Sequence, residues 1–207
     1  TLSQLVTEAM QKLGMAGGRF EVALVKQDEP QAFGLESVDF LVAGHAGSTP
    51  RPLGKVASGG ELSRLALAIA VTTTQRADEA SAVGTLIFDE IDSGVGGAVA
   101  DTVGQLMQQL GRERQVLAVT HLAQVAACAH QHLVVSKAVT GGQTSSDIRP
   151  VASDDRVKEI ARMLGGAITD TSRAHAQAML QSAREHDQVD AGLVASTTRS
   201  RSKKVAA

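Results

Sequence analysis

Apolar residues recur at three- and four-residue steps from the start of the chain. Leu2, Leu5, Val6, Ala9, Met10 and Leu13 form one stripe of an amphipathic helix, which Gly14 and the Gly17-Gly18 pair close. No capping residue precedes Thr1, so the pattern predicts a helix entering from a longer parent. In "RFEVALVK" (19–26) the period changes to two, with Phe20, Val22 and Leu24 on one face of a strand. "SVDFLVA" (37–43) reads as its partner, 44–54 as a loop, and "KVASGGELSRLALAIA" opens a helix expected to run to about residue 77. "TLIFDEID" (85–92) and "QVLAVTH" (115–121) are short apolar runs without alternation, the pattern of strands covered on both faces. Residues 93–97 read as a loop, 98–110 as a helix, and the stretch after His121 as a helix through Ala129. Residues 132–137 and 144–151 predict a hairpin turning near Gly141-Gly142. Two helices close the pattern: about 154–164, capped by Ser153 or Asp154 and stopped by Gly165-Gly166, and about 169–186.

Strands alternating with helices imply an α/β layered sheet with an antiparallel portion at its start. No internal repeat is visible. Hydrophobic residues make up 43% of 207, so a globular domain is affordable. With four Phe and neither Trp nor Tyr, the core must be aliphatic, and base stacking on aromatic faces has little to work with.

The net charge of −2 excludes a broadly basic protein, but residues 191–207 hold Arg199, Arg201, Lys203 and Lys204 with no acid. That stretch reads as a solvated, disordered tail that could touch phosphates. A single cysteine, Cys128, cannot form an intrachain disulfide, which fits a reducing compartment. No apolar run reaches the roughly 18 residues that a membrane span needs.

Three places bear chemistry. Asp89 and Glu90 end the first apolar strand, and in open α/β sheets ligands gather beyond the carboxyl ends of strands. Asp89 suits a hard cation such as Mg²⁺, and Glu90 an attacking water. Two acids at a strand end are also ordinary solvent-facing residues, so the pair alone does not decide. His121 ends the second such strand and could donate to a phosphate; alone, such a histidine is more often a surface or helix-capping residue. The remaining histidines, at 45, 130, 132, 175 and 186, show no spacing that suggests a zinc site.

The third place is Ser58, Gly59, Gly60 and Glu61 at the start of a helix. Its unpaired N–H groups and dipole suit an anion, but a plain capped turn explains the residues equally well. Spacing ties the three together. Ser58 precedes Asp89 by 31 residues and Glu90 precedes His121 by 31, with one helix–strand unit in each gap. All three then fall on one rim of one sheet.

Taken as an ordered set, these stretches resemble a known family. "ASGGELSRLALA" resembles the signature motif of ABC-type ATPases in its SMC and RecN variant. "TLIFDEIDSGVGG" resembles their Walker B strand, catalytic glutamate and D-loop, and "VLAVTHLAQVAACAHQHLVVSK" their histidine switch. "RVKEIARMLGG" (156–166) is similar to the region that follows in RecN-type DNA repair ATPases.

The resemblance implies the C-terminal lobe of an ABC/SMC-type P-loop NTPase head, mainly parallel sheet flanked by helices with a small antiparallel portion. Residues 1–14 would end a coiled-coil arm, 15–188 form the lobe, and 189–207 form the basic tail. It implies ATP and Mg²⁺ as ligands, with Asp89 on the metal, Glu90 on water and His121 on the γ-phosphate. Ser58, Gly59, Gly60, Glu61 and Asp92 would meet ATP across a homodimer of two heads.

DNA, a second head and an N-terminal Walker A lobe are the implied partners, and a cytoplasmic, nucleoid-associated location follows. One departure stands out: no GxxxxGK[ST] occurs, and the only Gly-Lys pair, Gly54-Lys55, is followed by Val56. The chain is therefore expected to be an incomplete ATPase. A non-catalytic assembly or DNA-tethering module is the alternative, and a transporter ATPase the weaker one.

Overall fold

A computed structural model describes the backbone of residues 1–55, 58–74, 83–140 and 143–205, and their side chains up to 189 apart from residues 74 and 140. Helix α1 (Leu2–Lys12) forms where the apolar stripe predicts it, and Thr1 Oγ1 accepts from Gln4 N–H at 3.4 Å. Val6, Met10 and Leu13 are fully buried, each worth about 1.5–3 kcal/mol relative to exposure. The Thr7 hydroxyl accepts the Phe20 N–H at 3.0 Å and ties the helix to the first strand.

β1 (Arg19–Gln31) and β2 (Gly34–Ala43) form an antiparallel hairpin longer than the alternation alone predicts. Phe20 pairs with Val42, Val22 with Phe40, and Leu24 with Val38, so one face starts in the core and becomes exposed towards the tip. The segment expected to be loop contains β3 (Arg51–Pro52), which pairs with Leu41 and Val42. Two residues carry too little periodicity to announce a strand.

Helix α2 (Gly59–Thr74) buries Leu65, Leu67 and Ala68 against α1; residues 75–77 of the expected helix lie outside the described residues. β4 (Thr85–Phe88) and β5 (Gln115–Ala118) pair in parallel, joined through α3 (Gly97–Leu110). Phe88, Ile91, Val103, Met107 and Leu110 join α1, α2, Phe20 and Val42 in one aliphatic core.

A second cluster joins α4 (Ala123–Cys128), α5 (Ser153–Gly165) and α6 (Asp170–Val205) through Ala123, Ala126, Ala127, Ile160, Ala161, Ala176 and Leu180. β6 (His132–Thr140) and β7 (Gln143–Val151) form the expected hairpin, whose Gly141-Gly142 turn lies outside the described residues.

Three expectations change. Among the described strands only β4 and β5 pair in parallel, so the α/β class holds with a smaller parallel share than the apolar runs suggest. Those two strands are covered on one face only: Phe88 is buried, whereas Ile87 is 71% and Leu117 44% exposed. An apolar run records that a face wants cover, not which segment supplies it. Finally, the last helix does not stop near His186; its backbone continues to Val205, and the side chains beyond 189 are not described. Among the described residues no helix is long and apolar enough to cross a membrane.

Candidate functional site

The carboxyl ends of β4 and β5 lie side by side, because Leu86 pairs with Val116 and Phe88 with Ala118. Beyond β4 the chain is anchored twice, by Phe88 (5% exposed) and Ile91 (fully buried). The two residues between these anchors are forced outward. Asp89 and Glu90 are both exposed, and Glu90 sits at φ 55°, the left-handed region that non-glycine residues rarely adopt. Asp89 Oδ1 accepts the Glu90 N–H at 3.0 Å, and the Glu90 carbonyl accepts from Ser93 N–H at 3.1 Å, closing a tight turn.

Helix α2 starts against this turn. Ser58 Oγ accepts the Glu61 N–H at 3.4 Å, so the serine is an N-cap, and "SGGE" has the spacing of a capping box. The Ser63 hydroxyl donates to the Asp89 carbonyl at 2.8 Å, and Arg64 donates to the Ser93 carbonyl at 2.8 Å. Burial pulls the Arg64 guanidinium pKa below its ordinary value, while Glu61 pushes back.

The two glycines do different jobs. A Cβ at Gly60 would sit 2.9 Å from the Ser93 carbonyl oxygen, so close helix–loop approach requires glycine there. A Cβ at Gly59 would meet only the tip of the Glu90 carboxylate, at 3.0 Å. Gly60 is buried and Gly59 exposed, so the second glycine packs and the first faces out.

His121 follows β5 with its side chain 72% exposed. Asp92, expected to face a second subunit, is only 3% exposed and turns inward. Its Oδ2 accepts from the Thr120 hydroxyl, from His121 N–H at 2.9 Å and from Leu122 N–H at 3.4 Å, and lies 3.2 Å from His121 Nδ1. Burial raises the Asp92 pKa, the hydrogen bonds from Thr120 and His121 lower it, and the balance lies below the usual aspartate value. Ile91, the neighbour of Asp92, is fully buried and draws the loop towards the core.

The rim therefore gathers Ser58, Gly59, Gly60, Glu61, Asp89, Glu90, Asp92 and His121 around one turn. Sequence reasoning passed over Ser63, Arg64 and Thr120. The first two were legible, since Gly60, Ser63 and Arg64 follow the i, i+3, i+4 spacing of one helix face. Thr120 was not, because nothing local shows that its hydroxyl meets a carboxylate 28 residues away.

Among the described residues no group of three or more His, Cys, Asp or Glu side chains could cage a metal ion. The donor set is one exposed carboxylate with a second beside it, the kind that holds Mg²⁺ together with phosphate oxygens and water rather than in an all-protein cage.

Known proteins are similar to this chain over most of its length. No protein-family model matches the chain. The DNA repair protein RecN of Xylella fastidiosa (strain 9a5c) is 46% identical over 187 residues, covering 89% of this chain and 33% of that protein. RecN of Deinococcus radiodurans is 46% identical over 171 residues, 83% of this chain and 29% of the relative. RecN of Mycobacterium leprae is 49% identical over 156 residues, 74% of this chain and 25% of the relative. The chain thus spans about a third or less of the length of these curated relatives. Among solved structures, the Smc head domain with a coiled coil and joint from Pyrococcus yayanosii superposes with a TM-score of 0.53 at 22% identity, over 77% of this chain and 28% of that one. At that identity the likeness concerns the fold.

Proposed function

We propose, from the premise that this chain is a RecN-like sequence with the fold of an SMC-type head lobe, that its rim is part of an ATP-binding and ATP-hydrolysing site in a DNA double-strand-break repair protein. The observation that carries the reading is the convergence of the α2 N-terminus, the 89–93 turn and His121 on one rim.

In this reading Asp89 holds Mg²⁺, which would neutralise charge on the phosphates. Glu90, pushed outward between two buried anchors, orients and deprotonates the attacking water; losing such a base costs about 10²–10⁴ in rate. His121 contacts the terminal phosphate. Ser58, Gly59 and the first-turn N–H groups beside Gly60 and Glu61 face a nucleotide held by a second head, with Gly59 offering bare backbone. Asp92, in the same turn, communicates across the head pair, and its carboxylate also accepts from Thr120 and from the His121 and Leu122 N–H groups of its own chain.

Because the chain has no GxxxxGK[ST], the triphosphate needs a further lobe that carries a Walker A loop. Phosphate release should be negligible for the chain alone and appear when it is joined to such a lobe. In the joined head Glu90→Gln should stop turnover while retaining ATP. Robust hydrolysis by the chain alone would sink the split-site reading, and failure of the joined head to retain ATP would sink the head reading itself. DNA binding and the basic residues beyond 190 belong to the same proposal. Truncation at 190 should flatten the salt dependence of DNA binding.

A further inference from the structure

Glu90 keeps a backbone conformation, φ 55°, that a residue with a side chain adopts only when its surroundings over-determine it. Consecutive residues of α2 grip the main chain on both sides of it. The Ser63 hydroxyl donates to the Asp89 carbonyl at 2.8 Å, and Arg64 Nη1 donates to the Ser93 carbonyl at 2.8 Å. A bland explanation exists: a helix lying beside a turn satisfies the turn's carbonyls, and nothing more. Arg64 fits that explanation poorly. It is 8% exposed, and its Nε is buried with no hydrogen-bond partner among the described residues. An unpaired buried donor offsets much of what the bond to Ser93 contributes, so stability alone would be served as well by an apolar side chain.

We propose that Ser63 and Arg64 are positioning residues for Glu90, holding the 89–93 turn in the left-handed form that directs this side chain outward. The Asp89 carbonyl lies in the peptide plane that ends at the Glu90 nitrogen, so the Ser63 bond fixes one side of the rotation that φ measures. The Arg64 bond holds the far end of the turn and keeps the chain from unwinding there. The turn's own bonds, from Glu90 N–H to Asp89 Oδ1 at 3.0 Å and from Ser93 N–H to the Glu90 carbonyl at 3.1 Å, close it locally. The two bonds from α2 fasten it to the helix. The consequence for catalysis rests on the ATPase reading; the held conformation does not.

The test begins with the full chain, labelled with ¹⁵N-glutamate and free of nucleotide. A left-handed φ brings a residue's amide proton close to its own Hα and gives a strong cross-peak between the two. Glu90 is assigned by the signal lost in Glu90→Gln. The wild type is expected to show the strong cross-peak. Ser63→Ala and Arg64→Met should each reduce it towards the level of Glu8, which lies in helix α1. Ser63→Thr keeps the hydroxyl and should retain it. In a joined head Ser63→Ala should lower kcat by about 10–10²-fold with ATP retention unchanged, and Ser63→Thr should restore turnover.

A wild type without the strong cross-peak overturns the proposal. So does a strong cross-peak that persists in folded Ser63→Ala and Arg64→Met, since the turn would then hold itself, as the bland explanation requires. Ser63→Ala leaves the buried arginine in place and decides the question even where Arg64→Met fails to fold. Loss of the cross-peak in Ser63→Thr would show that the hydroxyl is not the grip and overturn its assignment. An unchanged kcat for Ser63→Ala, in a joined head that turns over, would overturn the positioning role in catalysis. The spectra involve no nucleotide, so a joined head without turnover would sink the ATPase reading and leave the spectroscopic result standing.

Discussion

Substituting each glycine of the α2 start by alanine should separate packing from ligand contact. Gly60→Ala adds a Cβ 2.9 Å from the Ser93 carbonyl oxygen, 3.0 Å from Ser93 Cβ and 3.4 Å from an Arg64 guanidinium nitrogen. The first of these is backbone, held in the turn that Arg64 itself grips at 2.8 Å, so relief requires the helix and loop to part. Overpacking of this kind costs about 1–3 kcal/mol, against a helix-propensity gain of about 1 kcal/mol for replacing glycine by alanine. The net expectation is a loss of up to about 2 kcal/mol, or up to roughly 8 °C in Tm for a domain of this size.

Gly59→Ala meets only Glu90 Oε2 at 3.0 Å, the movable end of an exposed side chain. Here the propensity gain should win, leaving stability unchanged or raised by up to about 1 kcal/mol. Chemical and thermal denaturation of the two single variants measure the difference. If Gly60→Ala is more stable than the wild type, or Gly59→Ala is the weaker of the two, the packing account of α2 against the turn is wrong. In a joined head the order should reverse, since Gly59→Ala places a methyl where a phosphate would approach and should impair ATP-dependent head pairing despite its intact stability.

Three further outcomes are expected. The Cys128 thiol, pushed up to about 11 chiefly by burial and also by Asp101 despite Arg156, should be about one part in a thousand thiolate at pH 8. It should therefore resist alkylation until the chain is unfolded, and rapid labelling of the native protein would refute this. Arg156 donates to the Ala126, Ala127 and Ala129 carbonyls at the end of α4; Arg156→Met should cost about 1.5–3 kcal/mol in denaturant titration, with partial recovery in Arg156→Lys. The folded pKa of Asp92 lies below its unfolded value of about 3.9, so its contribution is present above that value and lost as pH falls through the folded value. Stability curves of wild type and Asp92→Asn should converge on acidification below about pH 4, and a constant gap would refute the linkage.

Most of the rim was legible because its markers are local. A strand that ends in acids, another that ends in histidine and a Ser-Gly-Gly-Glu helix start each reflect backbone and side-chain rules acting within a few residues. The equal spacing of 31 was enough to place them together. The inward turn of Asp92 was not legible, because it follows from the burial of Ile91 and from donors at 120–122 supplied by another strand. Nor was the division of labour between Gly59 and Gly60, which depends on which of them faces the Ser93 carbonyl.

The sequence alone determined the helices and strands through their apolar periods, the α/β class, and the identity of the acids, histidine and glycines at the rim. Periodicity is a property of neighbouring residues, and it survives without knowledge of the fold. Tertiary structure decided which faces are covered, how far the β1–β2 hairpin projects, and which side chains answer one another across the 89–93 turn. These depend on contacts between segments far apart in the chain, where an ångström separates a packed glycine from a clash and a buried carboxylate from an exposed one.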